Sequence, residues 1–220
     1  METTLSSSAK QSVAVPEPTV RRLPTYLNII KNLQQAEHTY VSAPTLARIL
    51  RLDPTQVTKD LSYTGVIGKT RVGYQISELV EALEDFLGFN RKHEAFLVGA
   101  GYLGSALIQY QGFRESGMRI VAAFDIDKNK IGTDIAGVPV FHLEKFRDLT
   151  ERLHITIGII TTPPSAAQNV ADLMIGWGIK AIWNFAPIGL KVPEHIILQD
   201  THIYANLAVI LNKLDHTALK

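Results

Sequence analysis

Gly99, Gly101 and Gly104 form a G-x-G-x-x-G pattern directly after the apolar run AFLV and at the start of a helical stretch, SALIQY. Glycines at this spacing permit a tight turn, let the backbone approach a pyrophosphate, and bring helix close to strand, with the helix N-terminus facing the anion. The candidate phosphate turn is thus Gly99, Ala100, Gly101, Tyr102, Leu103 and Gly104. A second apolar run, RIVAAFDID, carries Asp125 at its end, 21 residues beyond Gly104, where a carboxylate can accept from the hydroxyls of an adenosine ribose. The chemistry is dinucleotide binding, with Ile126 and Lys130 as neighbouring candidates. Asp125 favours NAD(H) over NADP(H), because a carboxylate there repels a 2′-phosphate. Lys128 and Lys130 could soften that preference or be plain solvated loop lysines.

Two further turns, IITTPPS and WNFAP, are expected at the carboxyl ends of strands, where ligands of open α/β sheets bind. Thr161, Thr162, Pro163, Asn184, Phe185 and Pro187 are candidates for a nicotinamide pocket. That pocket is mostly apolar and lacks a carboxylate, so it favours the neutral reduced ring over the cationic oxidised one. Hydride transfer would also need a positioned acid or base. None of the seven histidines (His38, His93, His142, His154, His195, His202, His216) sits in a catalytic motif, and surface or capping roles account for them. The reading is not an enzyme, with no catalytic residue and no metal ligand set.

A second chemistry lies upstream. In LDPTQVTKDLSYTG, Asp53 offers a helix cap, Pro54 suits the first helical position and Gly65 ends the helix. Val57 and Leu61 form an apolar side, and Gln56, Lys59, Asp60 and Tyr63 the other. Gln can bond adenine at two points and Lys can donate to guanine, so this face suits a DNA major groove; an ordinary solvated helix shows the same pattern. Next, VIGKTRVGYQIS reads as a hairpin with a basic tip: Gly68 and Gly73 bracket Lys69 and Arg71, and Val66, Ile67, Tyr74 and Ile76 are strand-like flanks.

These residues require supporting elements. RLPTYLNIIKNLQQA, from Arg22 to Ala36, places Leu23, Leu27, Ile30 and Leu33 on one helical stripe. In VSAPTLARIL, Ser42 can cap a helix with Leu46, Ile49 and Leu50 facing inward. Three short helices and a basic hairpin make a winged helix-turn-helix. Strands at 138–141, 155–160 and 181–183, alternating with helices such as PPSAAQNVADLMIGWG, complete a Rossmann-like parallel sheet. The expected fold class is α/β: an N-terminal winged helix-turn-helix, a Rossmann-like sheet domain and a C-terminal helix. The expected divisions are a disordered arm over 1–20, the winged-helix domain over 21–90, the dinucleotide domain over 91–198 and a dimerisation helix over 199–220. In that last helix Ile203, Leu207, Ile210, Leu211 and Leu214 form an apolar stripe that a partner subunit can cover.

Composition agrees with this organisation. With 46% hydrophobic and 20% charged residues and no apolar run of membrane length, the chain reads as soluble and, lacking a leader, cytoplasmic. The absence of cysteine removes disulfides, thiolate metal sites and thiol redox switching together. Charge is uneven, +5 from Arg21 to Tyr74 and −3 from Gln75 onward, which suits a polyanion at the front.

RLPTYL, QVTKDLSY, LVGAGYLGSAL, FDIDKNKIG, AAQNVAD, GIKAIWNFAP and VPEHI, in that order, resemble the Rex family of bacterial redox-sensing transcriptional repressors. The resemblance implies a homodimer with a domain-swapped C-terminal helix that binds a palindromic double-stranded DNA operator through winged helices, senses the NADH/NAD+ ratio and releases DNA when NADH binds. It places Lys59 and Tyr63 on the recognition helix, Lys69, Arg71 and Gly73 in the wing, and Tyr110 near the nicotinamide as a switching residue. Arg22, Ser42, Gln56, Thr58, Ser62 and Tyr74 complete the DNA-binding candidates. Thr58 and Thr64 replace an arginine and an aromatic residue of the family pattern, His202 an aspartate, and Tyr102 an asparagine or arginine. Two rivals are a small NAD-dependent oxidoreductase and a coenzyme A-type nucleotide binder.

Overall fold

The computed structural model describes residues 15–217. Two compact units divide between Arg91 and Lys92. In the first, α1 (Glu17–Gln35) is followed by β1 (Tyr40–Val41), α2 (Ala43–Leu50), α3 (Pro54–Ser62), β2 (Tyr74–Gln75) and α4 (Ile76–Leu87). Ser42 caps α2 by accepting from the Thr45 N–H, and Asp53 caps α3 by accepting from Thr55 and Gln56. The core gathers Leu23, Tyr26, Leu27 and Ile30 from α1 with Leu46, Val57, Leu61, Leu79 and Leu83.

Four expectations for this unit are corrected. The arm over 1–20 is cut short, because α1 already begins at Glu17, started by Pro16 and Pro18 and tied down by the buried Thr19; residues 1–14 of the arm lie outside the described residues. Ile49 is exposed rather than inward, since Leu46 and Ala47 are the buried residues of α2 and Leu50 packs against the same core. The hairpin flanks are not paired strands: only Lys69 and Gly73 form a bridge, while Tyr74–Gln75 turns back to pair with Tyr40–Val41. Gly73 makes this possible, since a Cβ there would collide with the Val41 carbonyl. Ile76 opens a fourth helix, because Ile76, Leu79, Val80 and Leu83 have helical spacing and bury together.

The second unit runs β3 (His93–Val98), α5 (Tyr102–Gln109), α6 (Gln111–Glu115), β4 (Met118–Asp125), β5 (Asp134–Ile135), β6 (Val138–His142), a 3-10 turn (Leu143–Lys145), α7 (Phe146–Leu153), β7 (Ile157–Ile160), α8 (Pro164–Gly176), β8 (Ala181–Asn184), β9 (Ile197–Asp200) and α9 (Ile203–Thr217). The strands form one sheet of order β5-β6-β4-β3-β7-β8-β9, parallel except for β5 against β6. Side chains alternate: Phe96, Val98 and Phe124 pack under α7 and α8, while Ala95, Leu97 and Ala123 pack on the opposite face with Ile108 of α5. The chain leaves β3 for β4 and β6 on one side, then returns to place β7 on the other. That reversal opens a crevice at the carboxyl ends of β3 and β7.

The apolar residues of α9, Ile203, Leu207, Ile210, Leu211 and Leu214, are each about half exposed or more. No helix among the described residues is long and apolar enough to cross a membrane.

Candidate functional site

The crevice of the second unit encloses about 780 Å³. Its floor is the glycine turn. Gly99 adopts φ +103°, and a Cβ there would press on the Thr161 backbone at 2.8 Å; a Cβ at Gly104 would overlap the Gly99 carbonyl. These two glycines let α5 and the β7 turn close on β3. Gly101 differs, because a Cβ there would meet nothing within 4 Å. The room above Gly101 opens to the crevice at the N-terminus of α5, where backbone N–H groups are left for an anion.

Asp125, at the end of β4, is the only acidic residue lining the crevice among the described residues. Its Oδ1 accepts from the N–H groups of Ile126 (2.8 Å) and Asp127 (3.0 Å), and its Oδ2 from Ala100 N–H (2.9 Å) and Lys130 Nζ (3.1 Å). Burial pushes its pKa up, but the backbone donors and the Lys130 ammonium outweigh that and hold it below the usual carboxylate value. Asp125 is therefore ionised and tied to the glycine turn through Ala100.

Gly99, Gly101, Leu103, Asp125, Ile126, Lys130, Thr161, Thr162, Pro163, Phe185 and Pro187 all line this crevice. Ala100, Tyr102, Gly104, Asn184 and Tyr110 do not. Ala100 is buried with its N–H on Asp125, Gly104 is packed against the turn, and Tyr102 is fully exposed. Asn184 is buried: its Nδ2 donates to Ile188 O and Asp200 Oδ1, and its Oδ1 accepts from Ala186 N–H, so it shapes the turn after β8. Tyr110, between α5 and α6, lies edge-on to Phe113. The Thr161 hydroxyl donates to Gly99 O (2.7 Å) and braces the glycine turn, whereas Thr162 Oγ1 is buried without a hydrogen-bond partner among the described residues. The sequence reading missed Leu143 and the face of α8 that carries Ala166, Asn169 and Leu173; i, i+3, i+7 spacing after a strand end was the available signal. It also missed Trp183, whose ring packs on Phe185 (4.9 Å) and whose Nε1 donates to Thr201 Oγ1 (2.8 Å), two residues before α9.

In the first unit, α3 presents Thr55, Thr58, Lys59 and Ser62 to solvent. Thr58 and Ser62 turn their hydroxyls to the Pro54 and Lys59 carbonyls, and the Lys59 side chain has no ion pair or hydrogen bond among the described residues. Tyr63, at the end of α3, is half-buried. Asp60 corrects the expected polar face, because it is fully buried. It accepts from Arg22 Nε (2.7 Å) and Nη2 (2.8 Å), Tyr26 Oη (2.7 Å), Thr19 Oγ1 (2.9 Å) and Gln56 Nε2 (2.8 Å). Arg22 and Gln56, both DNA-binding candidates, are thus drawn into a clamp between α1 and α3. Burial pushes the Asp60 pKa up, but the donors from Arg22, Tyr26, Thr19 and Gln56 prevail and lower it to about 2. Ser42 and Tyr74 also have structural places, as the cap of α2 and a core ring packed against Gly68.

The basic tip is a tight loop. Lys69 N–H donates to Gly73 O (2.7 Å) and Gly73 N–H to Lys69 O (2.9 Å), with Arg71 at φ +65° on the apex. Lys69 Nζ sits over the Tyr40 ring at 5.5 Å. No group of three or more His, Asp or Glu side chains suited to a metal ion occurs among the described residues.

Two family models match the chain: "CoA binding domain" over residues 90–188 and "Putative DNA-binding protein N-terminus" over residues 14–62. The redox-sensing transcriptional repressor Rex of Bacteroides thetaiotaomicron is 46% identical over 206 residues, covering 94% of each chain. That of Porphyromonas gingivalis ATCC 33277 is 46% identical over 214 residues, 97% of this chain and 98% of the relative. Among solved structures, RSP in complex with β-NAD+ and operator DNA has a TM-score of 0.88 at 34% identity, covering 94% of this chain and 95% of that one. RSP in complex with β-NADH has a TM-score of 0.84 at 33% identity, with 94% and 97% covered.

Proposed function

The chain belongs to the Rex family of redox-sensing transcriptional repressors, and from that membership we propose that it is a homodimeric repressor whose hold on operator DNA is set by the NADH/NAD+ ratio, NADH causing release. It is a regulator that binds NAD(H) and DNA, not an enzyme. The observation that carries the reading is the room above Gly101 beside the ionised Asp125, in a chain whose helix α3 also holds Lys59 outward without an ion pair among the described residues.

The residues fit the dinucleotide. Gly101 leaves the space that a pyrophosphate needs, Asp125 supplies a ribose acceptor, and the unpartnered Thr162 Oγ1 offers a buried polar contact. Bound, the dinucleotide supplies a ring that is cationic when oxidised and neutral when reduced, and no bond is made or broken. Phe185, Ala186, Pro187 and Pro163 give that ring an apolar wall without a carboxylate, which penalises the cation by desolvation. Phe185 packs on Trp183, and Trp183 bonds Thr201 beside α9, a short route from crevice to terminal helix. A second copy covers the apolar stripe of α9, which is too extended to leave in water. Replacing Ile210 by glutamate is expected to turn a dimer into a monomer in sedimentation velocity at micromolar concentration; an unchanged dimer places the interface elsewhere.

On DNA, α3 enters a major groove with Thr55, Thr58, Lys59 and Ser62 outward, and Arg71 at the wing apex reaches the backbone or minor groove. A coupling of about 1 to 3 kcal/mol between sites suffices for a change in operator affinity of about 5 to 150-fold. The test is fluorescence anisotropy of a labelled palindrome titrated with NADH and NAD+. Lys59→Ala is expected to weaken binding by about 1 to 3 kcal/mol; unchanged affinity removes α3 from the interface. The coenzyme A reading rests on the match of the sheet unit alone, while the repressor relatives span nearly the whole chain. A thermal-shift comparison of coenzyme A with NADH separates the two.

A further inference from the structure

Asp125 is saturated before any ligand arrives. A carboxylate has about four acceptor positions, and here all four are taken, by the N–H groups of Ala100, Ile126 and Asp127 and by the Lys130 ammonium. Three of these donors are backbone groups at the end of β4 and in the glycine turn, which cannot leave without opening the fold. Lys130 is the only one on a rotatable side chain, 37% exposed, with Asp127 Oδ2 at 3.8 Å as an alternative partner. A ribose diol that donates to Asp125 must therefore take the place of Lys130 on Oδ2.

We propose that Lys130 sets how strictly the crevice separates adenosine riboses with a free 2′-hydroxyl from those bearing a 2′-phosphate, by competing with the ribose for Asp125 Oδ2. The inference rests on the dinucleotide reading of the crevice. For a free diol, the Asp125–Lys130 pair is an internal ligand that has to be displaced, which weakens binding. For a 2′-phosphate the same displacement is an exchange of partners: Asp125 repels the phosphate, but the released ammonium lies within side-chain reach of it and offsets that repulsion. Lysine at this position thus narrows the gap between the two classes of nucleotide that Asp125 alone would impose.

The experiment is calorimetric titration of NADH and NADPH, at one ionic strength, into the full-length protein and into the Lys130→Met and Lys128→Met variants. Methionine preserves most of the stem and removes the ammonium. Lys128 is an exposed neighbour without an ion pair to Asp125 among the described residues, so it controls for loss of one positive charge. For Lys130→Met the NADH dissociation constant is expected to fall or stay within about threefold, while that for NADPH rises about tenfold, the equivalent of one charge-assisted contact. Lys128→Met is expected to leave the ratio unchanged. Retained NADH binding shows that the variant crevice is folded. Equal shifts for both nucleotides in Lys130→Met, no shift, or the same widening in Lys128→Met would overturn the assignment. Wild-type protein that binds neither nucleotide would overturn the dinucleotide reading itself, a result distinct from all of these.

Discussion

Gly101→Val is expected to abolish measurable NADH binding, raising the dissociation constant by more than about 100-fold, while the protein stays folded. The argument rests on how differently three glycines of one turn are placed. A side chain at Gly101 points into open space and its backbone, at φ −79°, suits any residue, so the fold loses only a favourable cap position, about 1 kcal/mol. The space it fills is the one a pyrophosphate needs to reach the backbone. Loss of two hydrogen bonds to a charged group, at about 1.5 to 3 kcal/mol each, gives the stated factor. Gly104→Ala is the contrasting variant. Its Cβ must displace the Gly99 carbonyl, so melting temperature and binding should fall together. Calorimetry and thermal melts on both variants check the pair; a Gly101→Val protein that binds NADH normally would mean that no phosphate sits over the turn.

The second large effect concerns Asp60. Asp60→Asn leaves the partly exposed Arg22 guanidinium without its counter-charge in the interface between α1 and α3, and loss of the charge from these hydrogen bonds costs about 1.5 to 3 kcal/mol. Urea denaturation of the full chain, followed by helical circular dichroism, should show an early loss of helix, and operator binding should be lost with it. The pH dependence has a definite sign. The folded pKa of Asp60, about 2, lies below its ordinary value of 3.8. The ionised clamp therefore contributes stability that is complete above about pH 4 and is lost as pH falls towards 2. The variant should lack that segment of the acid-unfolding curve. An equal acid sensitivity in both proteins would show that the clamp does not hold the two helices.

Gly101 and Asp60 differ in how far linear order displays their roles. The glycine spacing, Asp125 and the caps at Ser42 and Asp53 act within a few residues or at a set distance along a βαβ unit, so linear order displays them. The clamp was hidden. Asp60 falls on the polar side of its helix by periodicity, and its burial depends on Thr19, Arg22 and Tyr26, which stand 34 to 41 residues earlier in the chain. Asn184 misled in the same way: a polar residue at a strand end reads as a ligand contact until its partners at Ala186, Ile188 and Asp200 are seen. The wing was half legible, since the basic tip was plain but the return of Tyr74 to Val41 was not.

What the sequence determined by itself was the class of each local element and the groups it carries: a glycine-rich turn, a carboxylate at a strand end, an apolar terminal stripe and a capped helix with Lys59 outward. Periodicity, caps and glycine freedom are short-range properties, so they survive reading in one dimension. Tertiary structure alone decided which polar groups were consumed internally and which stayed available. Arg22, Gln56, Asp60 and Asn184 became supports, and Gly101 and the lysine-occupied Asp125 remained facing the crevice. The reason is that a buried polar group must find a partner, and the partner is chosen by the packing of distant segments.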